Sequence, residues 1–258
     1  NLADRMEQCS ATGDAPGLKK LEQMAGFHFY PGGILFDKDL RPFIDPVESS
    51  FIDSTHTILA SGGVAQYHVN EFIRQCLTLD GFTLQWLDTF STQVVLPRDM
   101  TKLSKDYFQK RYRVKAKKHF RAFAADIITA TEVLSAVSKT LLEPRQLFPH
   151  LVHVHKLLCT VVSILQSSNV RQHVSQLERA VDDYAVCYRW LWPHLVKPKL
   201  HKLLHIPRII KKKKRHMNCF QTERQHKRLK LYACYSFGRK PHLSVTRRYL
   251  AEHFHDIK

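Results

Sequence analysis

Residues 123–192 read FAADIITATEVLSAVSKTLLEPRQLFPHLVHVHKLLCTVVSILQSSNVRQHVSQLERAVDDYAVCYRWLW. Apolar residues recur through this stretch at helical spacing, in three runs: Phe123–Leu142, Leu147–Gln166 and Val170–Trp192. Pro144 separates the first two, and Ser167-Ser168-Asn169 separates the second from the third. Long periodic runs joined by short connectors predict a bundle of helical hairpins.

Outward from this bundle the pattern continues. On the C-terminal side Pro193 and Pro198 precede a helical run over Leu200–Ile210, and Lys211–Arg215 reads as a basic loop. Further helices are predicted around Phe220–Tyr232 and Val245–Phe254. On the N-terminal side Pro97–Lys105 is a connector, and helices are predicted over Thr83–Phe90 and Val64–Leu79, the latter after a turn at Ser61-Gly62-Gly63. Phe51-Ile52-Asp53 reads as a short buried strand ending in a carboxylate. Residues 1–50, punctuated by Gly13, Pro16, Pro31-Gly32-Gly33, Pro42 and Pro46, read as loop-rich.

Charge narrows the function. Among the 258 residues, 40 Lys and Arg face 23 Asp and Glu, a net charge of +17. A field of that size favours polyanions. Between Lys197 and Leu250 the only acidic residue is Glu223, amid a dense series of cations that includes Lys199 and Lys211–Arg215. A second basic stretch carries Lys110, Arg111, Arg113, Lys115, Lys117 and Lys118 with no acid among them. No apolar run reaches the ~18 residues of a membrane span, and the first residues do not read as a signal peptide. Six scattered cysteines without a CxxC pair predict reduced thiols in an intracellular setting. The start at Asn1 is read as a processed or trimmed chain or part of a longer reading frame.

Two constellations carry chemistry. One is Asp53-x-x-His56, ahead of Gly62-Gly63. The other runs from Lys199-x-His201-x-x-x-His205 through Cys219 to Glu223-x-x-His226-Lys227-x-x-Lys230. Helical spacing puts Glu223, His226, Lys227 and Lys230 on one face. Carboxylates from distant segments suit divalent metal ions in phosphodiester chemistry, while lysines and arginines suit phosphates. Each feature also has a plainer reading: Asp53 as a helix cap, Glu223 as a surface partner of Lys227, and His201 with His205, Cys219 and His226 as a zinc set.

The order Gly33-Ile34-Leu35-Phe36, Leu40-Arg41, Pro46, Phe51-x-Asp53-x-x-His56, Gly62-Gly63-Val64, then the Lys199 and Glu223 motifs, resembles the C-terminal half of transposases of the CACTA and Kyakuja-Dileera-Zisupton type. The resemblance implies a ribonuclease-H-like core with a DDE triad and a helical insertion between its second and third acidic residues. Asp53 then matches the second acidic residue and Glu223 the third. Both would hold Mg²⁺ or Mn²⁺, with His56 and His226 orienting a ligand or proton. The implied fold is mainly α: a partial α/β core in 1–63, an insertion bundle in 64–196, and basic helices completing the core in 197–258.

The implied partner is DNA, as transposon ends and target, in the nucleus, with homo-oligomerisation and no membrane. Lys110, Arg111, Arg113, Lys115, Lys117, Lys118, Lys199, Lys211, Lys212, Lys213, Lys214, Arg215, Lys227 and Lys230 would track phosphates. Two departures stand against catalysis. No upstream Asp sits in a strand-like context, Asp4, Asp14, Asp37 and Asp39 included, and Ser54-Thr55 replaces a bulky pair. The chain is therefore expected to be a fragment or a decayed element, without strand transfer of its own. The alternative is a non-catalytic basic helical protein that binds DNA or RNA.

Overall fold

The computed structural model describes residues 2–25, 28–33, 36–40, 52–60, 62–98, 100–114 and 118–219. The chain divides into two compact units, Asn1–Phe51 and Ile52–Lys258. The described residues are mainly helical and contain no strand. A mainly α protein is what the periodicity predicts.

In the first unit, Leu2–Ala11 (α1) and Ala15–Ala25 (α2) are helices where the sequence reads as loop-rich. Gly13 adopts φ +71 between them, and the Asp14 carboxylate accepts the Gly17 N–H at 2.9 Å. Pro16 lies in the first turn of α2, where a missing N–H breaks no helical bond. The Gly-Pro cluster thus marks a junction between helices. Ala3, Met6, Leu21 and Phe36 form a small apolar cluster of this unit.

In the second unit the helices are Val64–Cys76 (α3), Leu84–Gln93 (α4), Tyr107–Arg111 (α5), Ala124–Val137 (α6), Pro149–Gln166 (α7), Val174–Leu191 (α8) and Pro198–Lys213 (α9). A π-helical turn, Thr55–Leu59, precedes α3, and a second, Ser138–Leu142, extends α6. Helix α8 packs against both α7 and α9, and α6 contacts both α3 and α7. One core joins them, from Ile58 through Phe72, Ile127, Leu158 and Tyr184 to Ile210. Fully burying a side chain of that size contributes about 1.5–3 kcal/mol, so apolar burial, more than exposed pairs such as Lys156–Glu143, holds the helices together. Residues 64–196 and α9 share this core. No helix among the described residues is long and apolar enough to cross a membrane.

Two sequence expectations change here. Ile52 and Asp53 form no strand and lead directly into the first π-helical turn. The Lys211–Arg215 loop is in part helix: Lys211–Lys213 are the last turn of α9, where cations complement the helix dipole, and Lys214 ends it at φ 53. The helices predicted at Phe220–Tyr232 and Val245–Phe254 lie outside the described residues.

A buried polar chain crosses the centre of the bundle. His155 of α7 bonds through Nε2 to the Thr131 carbonyl at 3.1 Å, and its Nδ1 lies 3.1 Å from Nε2 of His68 in α3. Nδ1 of His68 lies 3.2 Å from the Tyr184 hydroxyl of α8. A carbonyl only accepts, so His155 carries its proton on Nε2 and accepts at Nδ1. His68 then donates from Nε2 and accepts the Tyr184 O–H at Nδ1. Both imidazoles are neutral. Burial drives both down, His68 further through the neighbouring His155, and His155 to about 4 despite its bond to Thr131. Two residues apart on a helix, His153 and His155 do not share a face, and from the sequence alone both are expected to be ordinary polar positions. That holds for exposed His153, but His155 is a core residue.

A candidate nucleic-acid interface and the Asp53 clamp

Asp53 sits at the N-terminus of the first π-helical turn and caps it. Its Oδ1 accepts the Thr55 N–H at 3.2 Å, and its Oδ2 accepts the His56 N–H at 2.9 Å and His56 Nδ1 at 2.5 Å. The fourth donor comes from far along the chain: the Cys219 N–H reaches Oδ1 at 2.9 Å. Burial alone would push Asp53 upward. The Cys219 N–H, the His56 ring and the N–H groups of His56 and Thr55 together outweigh it and hold the carboxyl below its ordinary range.

Residues 216–219 run beside this turn. Ser54 Oγ is 2.8 Å from His216 Nε2, and the Ser54 N–H donates to the Met217 carbonyl at 3.2 Å. Thr55 Oγ1 donates to Asn218 Oδ1 at 2.6 Å. From α9, Lys199 Nζ donates to the carbonyls of His56 at 2.7 Å and Ala60 at 3.3 Å. Burial and nearby Lys202 lower the Lys199 ammonium, which Asp53 partly restores. The two halves of the motif order, 53–63 and 197–219, are thus bonded to each other.

The glycine pair has its own reason. Gly62 adopts φ +73. A Cβ on Gly63 would lie 2.3 Å from the Ile58 carbonyl oxygen, so only glycine lets α3 start this close to the turn.

The expected site residues divide. Asp53, His56 and Lys199 meet, while Glu223, His226, Lys227 and Lys230 lie outside the described residues, as do Lys115 and Lys117. Lys211, Lys212, Lys214 and Arg215 are exposed and Lys213 half-buried, on the helix end that leads into the clamped 216–219 segment. Lys110 and Arg111 lie on α5, whose first N–H groups are held by the buried Asp88 carboxylate, with Phe108 N at 2.7 Å and Gln109 N at 3.2 Å. Asn70 clamps both backbone groups of Arg113 at 3.0 Å, and the Arg113 Nε is buried. Lys118 is exposed. Sequence reading missed Asp88 and Asn70, because nothing local announces that a helical carboxylate or amide will hold a distant backbone.

Mg²⁺ or Mn²⁺ asks for carboxylate oxygens with free lone pairs. All four lone-pair positions of Asp53 are taken by N–H groups, and the side chain is 17% exposed. As held here, Asp53 does not fit a metal ligand. No group of three or more His, Cys, Asp or Glu among the described residues is placed to hold a metal ion. A hollow of about 400 Å³ lined by Phe82, Trp86, Leu141 and Arg145 contains none of the motif residues. Comparison with protein families, characterised proteins and solved structures finds no match to this chain.

Proposed function

We propose that this chain is the DNA-binding portion of a DDE-type transposase-like protein, and that it holds DNA without cutting it. The observation that carries this reading is the bonding of 53–60 to 216–219. It joins two of the segments whose order resembles the transposases, 53–60 and the stretch that follows Lys199, and it fixes Lys211–Arg215, exposed except for half-buried Lys213, just ahead of the clamp. Cations fixed on a rigid element meet phosphates at low entropic cost. A nuclear setting and self-association belong to the same proposal, in which Lys211–Arg215 serves either import or phosphate contact.

A non-catalytic protein derived from a transposable element is the second reading. The saturation of Asp53 favours it: a carboxylate that fastens two segments is a structural residue.

The test is duplex-DNA binding by fluorescence anisotropy across a salt series. Each phosphate neutralised contributes about 0.9 to the slope of log K against log salt. Replacing Lys211, Lys212, Lys214 and Arg215 with Gln is expected to lower the slope by up to about 3.6. Absence of binding at low salt, or an unchanged slope, overturns the interface. Mg²⁺-dependent nicking by the purified chain, lost on Glu223→Gln, would overturn the claim that it does not cut.

A further inference from the structure

The DNA-binding reading leaves His201 and His205 unexplained. They are one turn apart on α9, and i, i+4 spacing puts both imidazoles on one face. The opposite face is anchored by buried Leu203, Ile206 and Ile210, so the helix presents the pair on a fixed base. His201 is exposed and His205 half-exposed.

Their geometry is specific. Nε2 of His205 lies 3.0 Å from Nε2 of His201, with ring planes at 87° and centroids 4.5 Å apart. Rings joined head-on through these nitrogens would have more distant centroids. The two Nε2 axes are therefore inclined to the line that joins the nitrogens. With metal–nitrogen bonds of about 2.0–2.1 Å, nitrogens 3.0 Å apart subtend about 90° at a shared ion. A tetrahedral ion holds them wider apart. A right angle is the cis angle of square-planar or octahedral coordination, which Cu²⁺ and Ni²⁺ adopt with imidazole and oxygen ligands.

We propose that His201 and His205 form a two-imidazole chelate for Cu²⁺ or Ni²⁺, with water completing the coordination shell. The site differs from the zinc set the sequence suggests. Among the described residues no third His, Cys, Asp or Glu joins the pair. Imidazole ligates as the neutral base. The positive charges of Lys202 and Arg208 oppose a cation, but both side chains are exposed and salt screens them.

Titration of the full chain with NiCl₂ and CuSO₄, followed by calorimetry and visible absorption, tests the site independently of DNA binding. One equivalent of each metal is expected to bind through this pair. His201→Gln and His205→Gln should each weaken that equivalent by at least about tenfold, the smallest loss typical even of outer-shell changes at metal sites. His153→Gln, an exposed imidazole on α7, should leave it unchanged. Ni²⁺ is expected to bind more tightly than Zn²⁺. Equal binding by all three variants overturns the chelate, and tighter Zn²⁺ overturns its right-angle geometry. All three substitutions are at solvent-accessible positions, and unchanged helical circular dichroism will confirm that the fold is intact.

Discussion

The Asp53 clamp and the His68–His155 chain solve the same problem, polar groups withdrawn from water, in opposite ways. Asp53 keeps its charge because four N–H groups converge on it, three from its own turn and one from Cys219. The imidazoles at the bundle centre have a carbonyl at one end and a hydroxyl at the other, which lets a neutral chain satisfy every ring nitrogen, and burial disfavours a further proton. Where the backbone can supply donors, a buried charge is kept. At the bundle centre, where the helices have already used their own N–H groups and no cation is at hand, the polar chain is neutral.

The largest expected effect is His155→Ala. It leaves a cavity and strips a partner from both His68 and the Thr131 carbonyl, at a cost of about 3–5 kcal/mol. Urea unfolding monitored by circular dichroism measures it. A loss below that for Asp53→Ala would break the comparison, because the dry site would then be the less demanding one.

Acid sharpens it next. Both histidines have folded pKa values below the unfolded one, so their contribution is fully present above about pH 6.5 and is lost as pH falls toward the folded values, about 4 for His155. That shift corresponds to a loss on the order of 3 kcal/mol. Asp53, also lowered, gives up its contribution only below the ordinary carboxylate range. The other titratable groups around the pair do not interfere: burial raises Tyr184, Tyr188 and Cys159. Unfolding free energies measured from pH 7 to 4 should therefore fall in the wild type and fall much less in the His68→Leu, His155→Leu double variant. Equal slopes would show that the pair is not what acid attacks first.

These two regions were unequally legible. The bundle was readable because periodicity is a local property: α3, α4 and α6–α9 follow the apolar spacing, with ends displaced by a few residues. The chain inside it was not. His68 sits at a core position of α3 between Ala65 and Phe72, and no spacing rule joins it to His155 and Tyr184 on other helices. Asp53 was conspicuous in the sequence, and its spacing to His56 and the glycines was visible. Its saturation was not, since one donor is a backbone N–H 166 residues away. Helices α1 and α2 were lost because Gly13 and Pro16 read as breakers when they punctuate a junction.

The smallest effects belong to graded changes at Asp53, and they bear most directly on whether it clamps. Asp53→Ala removes all four acceptor positions, but the side chain is partly open and water can replace some donors' partners, so the cost should be about 2 kcal/mol. Asp53→Asn keeps one carbonyl oxygen and turns the other position into a donor that faces donors. It should cost about 1 kcal/mol if the amide orients its oxygen toward Cys219 and His56 rearranges. Hydrogen exchange separates the two sides of the clamp. In the Asn variant the Cys219 amide should stay protected while the His56 amide exchanges faster, and in the Ala variant both should lose protection. An unchanged Cys219 amide in the Ala variant would mean that Ser54 and Thr55 alone hold 216–219. Asp53 would then be only the cap of its own turn, and the contrast with the buried imidazoles would reduce to a contrast between local and long-range bonding.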